Sequence, residues 1–200
     1  MHHYLIILLL LVSSSLAFAG GDATSGKDKA LICTGCHGVD GNNTHSEYPV
    51  LAGQVESYLL KQLKDFKSGD RVDDHMTSMV LAVEESDFED IVAYFSSNTR
   101  SQQSDKSKEH EIKLGQSIYR SGLRSKSIPA CSSCHGSKGL GNKETAYPSL
   151  ASQHKEYIAK ALKDFRKGKR KNDKGKIMRN VASNLSDKEI EALAAYIRNF

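Results

Sequence analysis

The sequence contains Cys33-Thr34-Gly35-Cys36-His37 and, 98 residues further on, Cys131-Ser132-Ser133-Cys134-His135. Both stretches read C-x-x-C-H, the pattern at which c-type haem is attached. Residues three or four apart share one face of a helical turn, so the two thiols of a motif reach the two vinyl groups of one porphyrin. The histidine that follows is then placed to bind the iron. The sequence predicts two covalently attached haem c groups, held by Cys33, Cys36, Cys131 and Cys134, with His37 and His135 as iron ligands.

One isolated C-x-x-C-H motif has other interpretations. It could be half of a zinc site, but zinc requires four nitrogen or sulfur ligands gathered at one place. It could be a thioredoxin-like redox pair, but that needs a preceding strand and a βαβ pattern, and neither is evident. In an exported protein it could form a disulfide. Two copies in matching sequence contexts favour haem over all three.

The matching context is an internal repeat. Residues 48–54 correspond to 147–153, residues 58–66 to 157–165, and residues 91–95 to 193–197. The offset is 98 at the cysteines, 99 in the middle and 102 at the end, so the halves differ mainly by short loop insertions. Each half is small enough that a hydrophobic core alone is marginal, and a buried porphyrin adds apolar core.

The periodicity of apolar residues is helical throughout, and no alternating strand pattern of useful length appears. Ser186 and Glu189 form a capping box that predicts the start of the last helix. We therefore predict an all-α protein with two tandem domains related by duplication. The predicted boundaries are a signal peptide at 1–19, an N-terminal domain at 20–100, a linker at 101–110 and a C-terminal domain at 111–200.

Residues 1–19 have no charged side chain, and residues 5–12 form an unbroken apolar run. Ala17-Phe18-Ala19 then provides an A-x-A cleavage site before Gly20. This is the organisation of a secretory signal peptide and predicts export. The first residues include His2 and His3 but no Lys or Arg, which leaves an uncleaved anchor as the alternative.

The sixth iron ligand separates a carrier, which keeps six ligands, from a catalyst, which needs an open position. Met76 precedes Tyr94 by 18 residues, and Met178 precedes Tyr196 by 18. Because the spacing is the same in both halves, we predict Met76 and Met178 as the distal ligands. Histidine–methionine ligation is typical of carriers and raises the haem potential. Met79 has no counterpart and is predicted to be a core or pocket methionine.

Two further interpretations concern the surroundings of the iron. His75 is a rival ligand, but Ile177 stands at its aligned position, and all the methionines could be apolar filler. Pro49 and Pro148 follow the haem motifs at nearly equal distances. Their carbonyls could orient the proximal histidines, or Tyr-Pro could only shape a turn. His45, His110 and His154 have no matched counterparts and are predicted to be ordinary surface residues.

The sequence resembles the cytochrome c4 family of diheme periplasmic electron carriers. The resemblance covers essentially the whole mature chain and is carried by both C-x-x-C-H motifs, residues 36–42, 51–54 and 90–95, and each late methionine. It implies two class I cytochrome c folds packed face to face, with haem propionates near the interface. It also implies proximal roles for His37 and His135, distal roles for Met76 and Met178, and delivery of electrons to a terminal oxidase.

We therefore expect a periplasmic electron-transfer protein rather than an enzyme, passing electrons from the quinol–cytochrome c reductase side of a respiratory chain to a terminal oxidase. One alternative is the cytochrome subunit of a larger dehydrogenase, such as a flavocytochrome c sulfide dehydrogenase. A diheme peroxidase is less favoured, because both halves offer a sixth ligand. Export disfavours nucleic-acid binding despite the basic clusters.

The formal net charge of +4 hides a strong asymmetry. Residues 20–103 have 7 Lys or Arg against 14 Asp or Glu, net −7, and residues 104–200 have 21 against 10, net +11. Such a dipole orients partners before contact. The densest basic run is Arg166, Lys167, Lys169, Arg170, Lys171, Lys174 and Lys176. We predict that it docks an acidic redox partner or an anionic membrane surface, the alternative being a solvated charge run.

Overall fold

The computed structural model describes residues 20–102 and 107–200, and these ranges fold into ten α-helices. Two isolated β-bridges, Leu123 with Ile128 and Asn142 with Tyr147, are the extended pairings recorded within them. The prediction of an all-α protein is confirmed. The helices are α1 (Ala23–Lys29), α2 (Leu31–His37), α3 (Glu56–Ser68), α4 (Met76–Leu81), α5 (Phe88–Ser97), α6 (Glu109–Ser121), α7 (Ser132–His135), α8 (Lys155–Arg166), α9 (Ile177–Ser183) and α10 (Asp187–Arg198).

The second five helices repeat the order of the first five. The first C-x-x-C-H motif forms the end of α2, and the second contains α7. A predicted distal methionine lies in the first turn of α4 and of α9. The predicted capping box at Ser186 and Glu189 is present at the start of α10. Helix α6 begins at Glu109, inside the segment predicted as linker.

In each half the first helix crosses the last at a glycine. A Cβ added at Gly26 in α1 would lie 1.9 Å from the Asp90 carbonyl oxygen in α5, and one at Gly115 in α6 would lie 1.9 Å from the Ala192 carbonyl oxygen in α10. Only glycine allows backbones to approach this closely. Ile118 belongs to the buried core at the second crossing. These crossings therefore hold the first and last helices of each half together.

The two halves also bond to each other through a pair of equivalent arginines. The Arg71 guanidinium donates to the Tyr157 hydroxyl at 3.3 Å, and the Arg170 guanidinium donates to the Tyr58 hydroxyl at 3.0 Å. Each arginine also stacks on a phenylalanine of its own half, Phe66 for Arg71 and Phe165 for Arg170. The halves are therefore docked by a pseudo-symmetric set of contacts.

The predicted signal peptide at 1–19 lies outside the described residues, as does part of the predicted linker. Within 20–102 and 107–200, no helix has the length and apolar character that crossing a membrane requires.

Candidate functional site

Each C-x-x-C-H histidine is the last residue of its helix and is buried. His37 is 3 % exposed and His135 is 7 % exposed. Gly38 and Gly136 follow them, both with φ of 82° and ψ of 156°. This backbone region strongly favours glycine, and it turns the chain away from the helix immediately after the histidine. The two halves thus present their histidines by the same local geometry.

The prolines that follow the motifs orient these histidines. His37 Nδ1–H donates to the Pro49 carbonyl at 3.0 Å, and His135 Nδ1–H donates to the Pro148 carbonyl at 2.9 Å. Of the two interpretations that the sequence left open for these prolines, the hydrogen bonds support the one in which their carbonyls orient the histidines. A proton held on Nδ1 leaves the lone pair on Nε2, which is the tautomer that a metal-binding histidine needs.

Electrostatics favour the same state of both rings. Burial lowers the pKa of His37 and of His135, while the hydrogen bond to the proline carbonyl opposes that shift. The imidazoles are therefore neutral near neutral pH. The Nε2 atom of His37 is buried and has no hydrogen-bond partner. A buried nitrogen lone pair without a partner is unfavourable, and a ligand that accepts it removes the penalty.

The cysteines fit attachment to a haem better than thiol chemistry of their own. All four lie in the described ranges, and none forms a disulfide. Burial raises the pKa of Cys33 and of Cys131 to about 11. Redox-active pairs need the opposite, a thiolate stabilised by a lowered pKa. With the unpartnered Nε2 of His37, these residues fit a covalently bound haem.

The predicted distal methionines differ from Met79 in burial. Met76 is half-buried and packs against a cluster that contains Phe66 and Phe88, and Met178 is also half-buried. Met79 is 37 % exposed, so it is not a core residue. The difference is consistent with the repeat-based choice of Met76 and Met178.

The Tyr48 ring lies near both His37 and the segment that contains Met76. Its ring lies edge-on to His37, with centroids 6.2 Å apart, and edge-on to His75, with centroids 6.4 Å apart. His75 is exposed and directly precedes Met76. Tyr48 therefore lies between His37 and the start of α4, which contains Met76.

His154 is not the surface residue that the sequence suggested. It is 2 % exposed, and its Nε2 lies 3.1 Å from the Asn43 carbonyl oxygen in the other half. The Asn43 amide in turn donates to the Pro49 carbonyl at 3.1 Å. Sequence reasoning missed His154 because its aligned position in the first half holds Val55 and not a second histidine, and burial at an interface between halves has no local sequence pattern.

The basic run from 166 to 176 is not one continuous docking surface. Arg170 points into the interface and also donates to Gln62 Oε1 at 3.1 Å. Arg166 donates to the Leu185 carbonyl at 2.7 Å and pairs with Asp187. Lys167, Lys169, Lys171, Lys174 and Lys176 are exposed. The prediction that Arg170 belongs to a partner-docking surface is therefore wrong, because its guanidinium binds within the molecule.

Arg100 is a second interface residue that the sequence did not identify. Its guanidinium donates to the Ala52 carbonyl in its own half, and to the Ala151 carbonyl and Ser149 hydroxyl in the other. Burial lowers the pKa of Arg100 to about 10. The sequence feature that could have pointed to Arg100 as an interface residue is its position at the predicted end of the first domain.

Comparison with known proteins yields one family. The family model described as Cytochrome c matches residues 26–99 and again residues 112–200. Cytochrome c4 of Stutzerimonas stutzeri is 44 % identical over 195 residues, covering 92 % of each chain. The crystal structure of reduced recombinant cytochrome c4 from Pseudomonas stutzeri superposes with a TM-score of 0.85 at 44 % identity, covering 90 % of this chain and 98 % of that one.

A more distant relative carries a different name. The thiosulfate dehydrogenase electron acceptor of Stutzerimonas stutzeri strain A1501 is 31 % identical over 179 residues, which cover 85 % of this chain and 79 % of the relative.

Proposed function

The chain belongs to the cytochrome c family as a diheme electron-transfer protein similar to cytochrome c4, and on that premise we propose its iron ligands, its compartment and its partners. It carries two covalently bound haem c groups, one in each half. Its domains are two tandem class I cytochrome c folds, for which we propose the boundaries 20–100 and 111–200.

We propose that Cys33, Cys36, Cys131 and Cys134 form the thioether bonds, that His37 and His135 are the proximal ligands, and that Met76 and Met178 are the distal ligands. The single observation that carries this proposal is the matched pair of buried histidines, each donating Nδ1–H to a proline carbonyl. When bound, the haems supply reversible one-electron oxidation and reduction. Each histidine would hold the iron through Nε2, and each methionine thioether would raise the potential of its haem.

In this assignment the protein works by keeping its ligands in place. The proline carbonyl fixes each imidazole ring, so little moves when an electron arrives. Because the site is repeated, the chain would hold two such groups, of which one could receive an electron while the other delivers one. Because both sites have a sixth ligand, substrate binding at the iron is disfavoured.

The test of the ligands uses the purified holoprotein. The oxidised protein should show the weak near-infrared band of iron–thioether bonding, and Met76→Ala or Met178→Ala should each remove about half of it and lower the potential of one haem. Met79→Ala is the matched control and should leave the band intact. If Met79→Ala abolishes half the band, the repeat-based choice is wrong. High-affinity cyanide binding by the wild type would instead favour the diheme peroxidase.

We further propose that the protein acts in the periplasm, after removal of residues 1–19, and carries electrons from the quinol–cytochrome c reductase side to a terminal oxidase. The similarity to a thiosulfate dehydrogenase electron acceptor supports a dehydrogenase as the second candidate donor. A membrane surface is a further candidate contact for its basic half.

Stopped-flow mixing discriminates the donors. The oxidised protein is mixed with isolated quinol–cytochrome c reductase or with a periplasmic dehydrogenase, and reduction of the haems is followed by absorbance. Rapid reduction by the reductase, followed by rapid oxidation by the oxidase, is the expected result. Rapid reduction by the dehydrogenase alone, with copurification of the two proteins, would replace this proposal by the subunit alternative.

A further inference from the structure

The peptide group that holds each proximal histidine is itself held by the other half. The Pro49 carbonyl and the Val50 N–H belong to one peptide group. The oxygen accepts from His37 Nδ1 at 3.0 Å, and the N–H donates to Gln153 Oε1 at 2.8 Å. Gln153 Nε2 also donates to the Val50 carbonyl at 3.0 Å. A side chain of the second half thus closes the hydrogen-bonded chain that begins at the histidine of the first.

The same arrangement occurs in the opposite direction. The Pro148 carbonyl accepts from His135 Nδ1 at 2.9 Å, and the Ser149 N–H of that peptide donates to Gln54 Oε1 at 2.6 Å. Gln54 Nε2 donates back to the Ser149 carbonyl at 2.9 Å. The two glutamines are repeat partners, so each half receives from the other the contact that it provides.

Both glutamines are fixed in orientation. They are buried, and each Oε1 also accepts the N–H of the next residue, from Val55 at 2.9 Å and from His154 at 3.0 Å. Each Oε1 therefore faces two N–H donors, while Nε2 faces a carbonyl. Turning the amide over would place its NH₂ group against those donors, which is unfavourable in a buried site.

Hydrogen bonds in a chain polarise one another. A peptide whose N–H donates becomes a stronger acceptor at its carbonyl, by an estimated 10–30 % per bond. A stronger bond from Nδ1–H makes the imidazole a more basic ligand of the metal. A more basic ligand favours ferric iron and lowers the potential. The glutamine of one half therefore acts on the iron of the other half.

We propose that Gln54 and Gln153 are crossed positioning residues, each setting the strength of the hydrogen bond that orients the proximal histidine of the opposite half. The potential of each haem then depends on how the other half is docked, and any event that loosens the interface raises both potentials. This inference rests on the proposed function, in which His37 and His135 are the iron ligands.

The test replaces each glutamine in the holoprotein by methionine, which has similar length but offers no strong hydrogen bond. Gln153→Met should raise the reduced-to-oxidised ratio of the N-terminal haem at fixed potential about threefold, which is about 30 mV at 59 mV per tenfold. The C-terminal haem should change much less. Gln54→Met should raise this ratio for the C-terminal haem and change the N-terminal haem much less. The potentials are read by NMR from the methyl signals of each haem, assigned with the two methionine-ligand variants.

A second variant acts on the same peptide group and should shift the potential of the N-terminal haem in the opposite direction. Asn43 donates to the Pro49 carbonyl at 3.1 Å and so competes with His37 for that oxygen. Asn43→Leu removes this competitor, strengthens the bond from His37 and should lower the potential of the N-terminal haem. Simple loosening of the interface would instead raise the potential in both Asn43→Leu and Gln153→Met.

The outcomes separate this inference from the function on which it rests. If each glutamine variant shifts the haem of its own half, or both haems equally, the crossed role is wrong although the protein remains a diheme carrier. If Asn43→Leu and Gln153→Met shift the N-terminal haem in the same direction, the hydrogen-bond mechanism is wrong. A wild type without two histidine-ligated low-spin haems would overturn the proposed function itself.

Discussion

The helix crossing in the second half makes a quantitative prediction for Gly115→Ala. The new methyl group would lie 1.9 Å from the Ala192 carbonyl oxygen and 2.8 Å from Tyr196 Cβ. Real Cβ contacts essentially never fall below 3.0 Å, so α6 and α10 must separate by about 1.1 Å, the difference between 3.0 and 1.9. The obstacle is main chain, which cannot rotate out of the way as a flexible side chain could.

The expected cost follows from that separation. A radial gap of 0.5–1 Å forfeits about a quarter to a half of the dispersion energy of the contacts it opens. Ile118, Tyr119 and Leu193 lie fully buried in the same core. Overpacking of this kind costs up to about 3 kcal/mol. Alanine has a higher helix propensity than glycine, which offsets about 1 kcal/mol. We expect a net loss of about 2 kcal/mol in the free energy of unfolding.

The assay is guanidinium unfolding of the holoprotein, followed by far-UV circular dichroism and by haem absorption. The midpoint should fall while the slope with denaturant stays unchanged, because the surface exposed on unfolding is nearly the same. Gly26→Ala should have a similar effect through α5, since its Cβ would lie 1.9 Å from the Asp90 carbonyl oxygen.

Gly35→Ala is the matched control. Gly35 lies within α2, and a Cβ there would have no atom within 4 Å. The second half has Ser133 at the equivalent position, so a side chain is compatible with the motif. The control should be unchanged or stabilised by up to about 1 kcal/mol. If Gly115→Ala behaves like Gly35→Ala, the close approach of the two helices is not what holds this half together.

Two further predictions concern charge and pH. Lys169→Glu combined with Lys171→Glu should slow electron transfer with one partner at low salt, and this effect should fade above physiological ionic strength, whereas Arg170→Met should lower the free energy of unfolding and leave the transfer rate with little salt dependence. Stopped-flow transfer rates across ionic strengths check the salt dependence of both variants, and equal rates for the wild type and the lysine variant with every partner would show that the run is solvated surface. Burial lowers the pKa of His154 from 6.5 in the folded chain, so the unfolded chain takes up the proton first and the free energy of unfolding should fall as the pH drops below about 6.5. Denaturant titrations at several pH values test this, and a wild-type pH dependence matched by His154→Gln would contradict it.

The haem sites could be predicted from the sequence because their chemistry is local. Cys33, Cys36 and His37 lie within about one helical turn of α2, so their spacing alone specifies how their side chains are placed. The same holds for the second motif, and the repeat extended the argument to the helical class and to two similar domains. The role of the proline carbonyls could also be considered from the sequence, since Pro49 follows His37 by only twelve residues in the chain.

The docking of the halves was decided by the tertiary structure alone. A repeat shows that two segments fold alike, but it does not show which faces meet. Residues such as Gln153 and Val50 are 103 positions apart, so no periodicity relates them. Arg170 looked like one member of an exposed charge run, and His154 looked like a surface histidine without a counterpart. Their contacts with the other half follow from close packing between surfaces, because a donor or charge removed from water must find partners wherever the fold brings them.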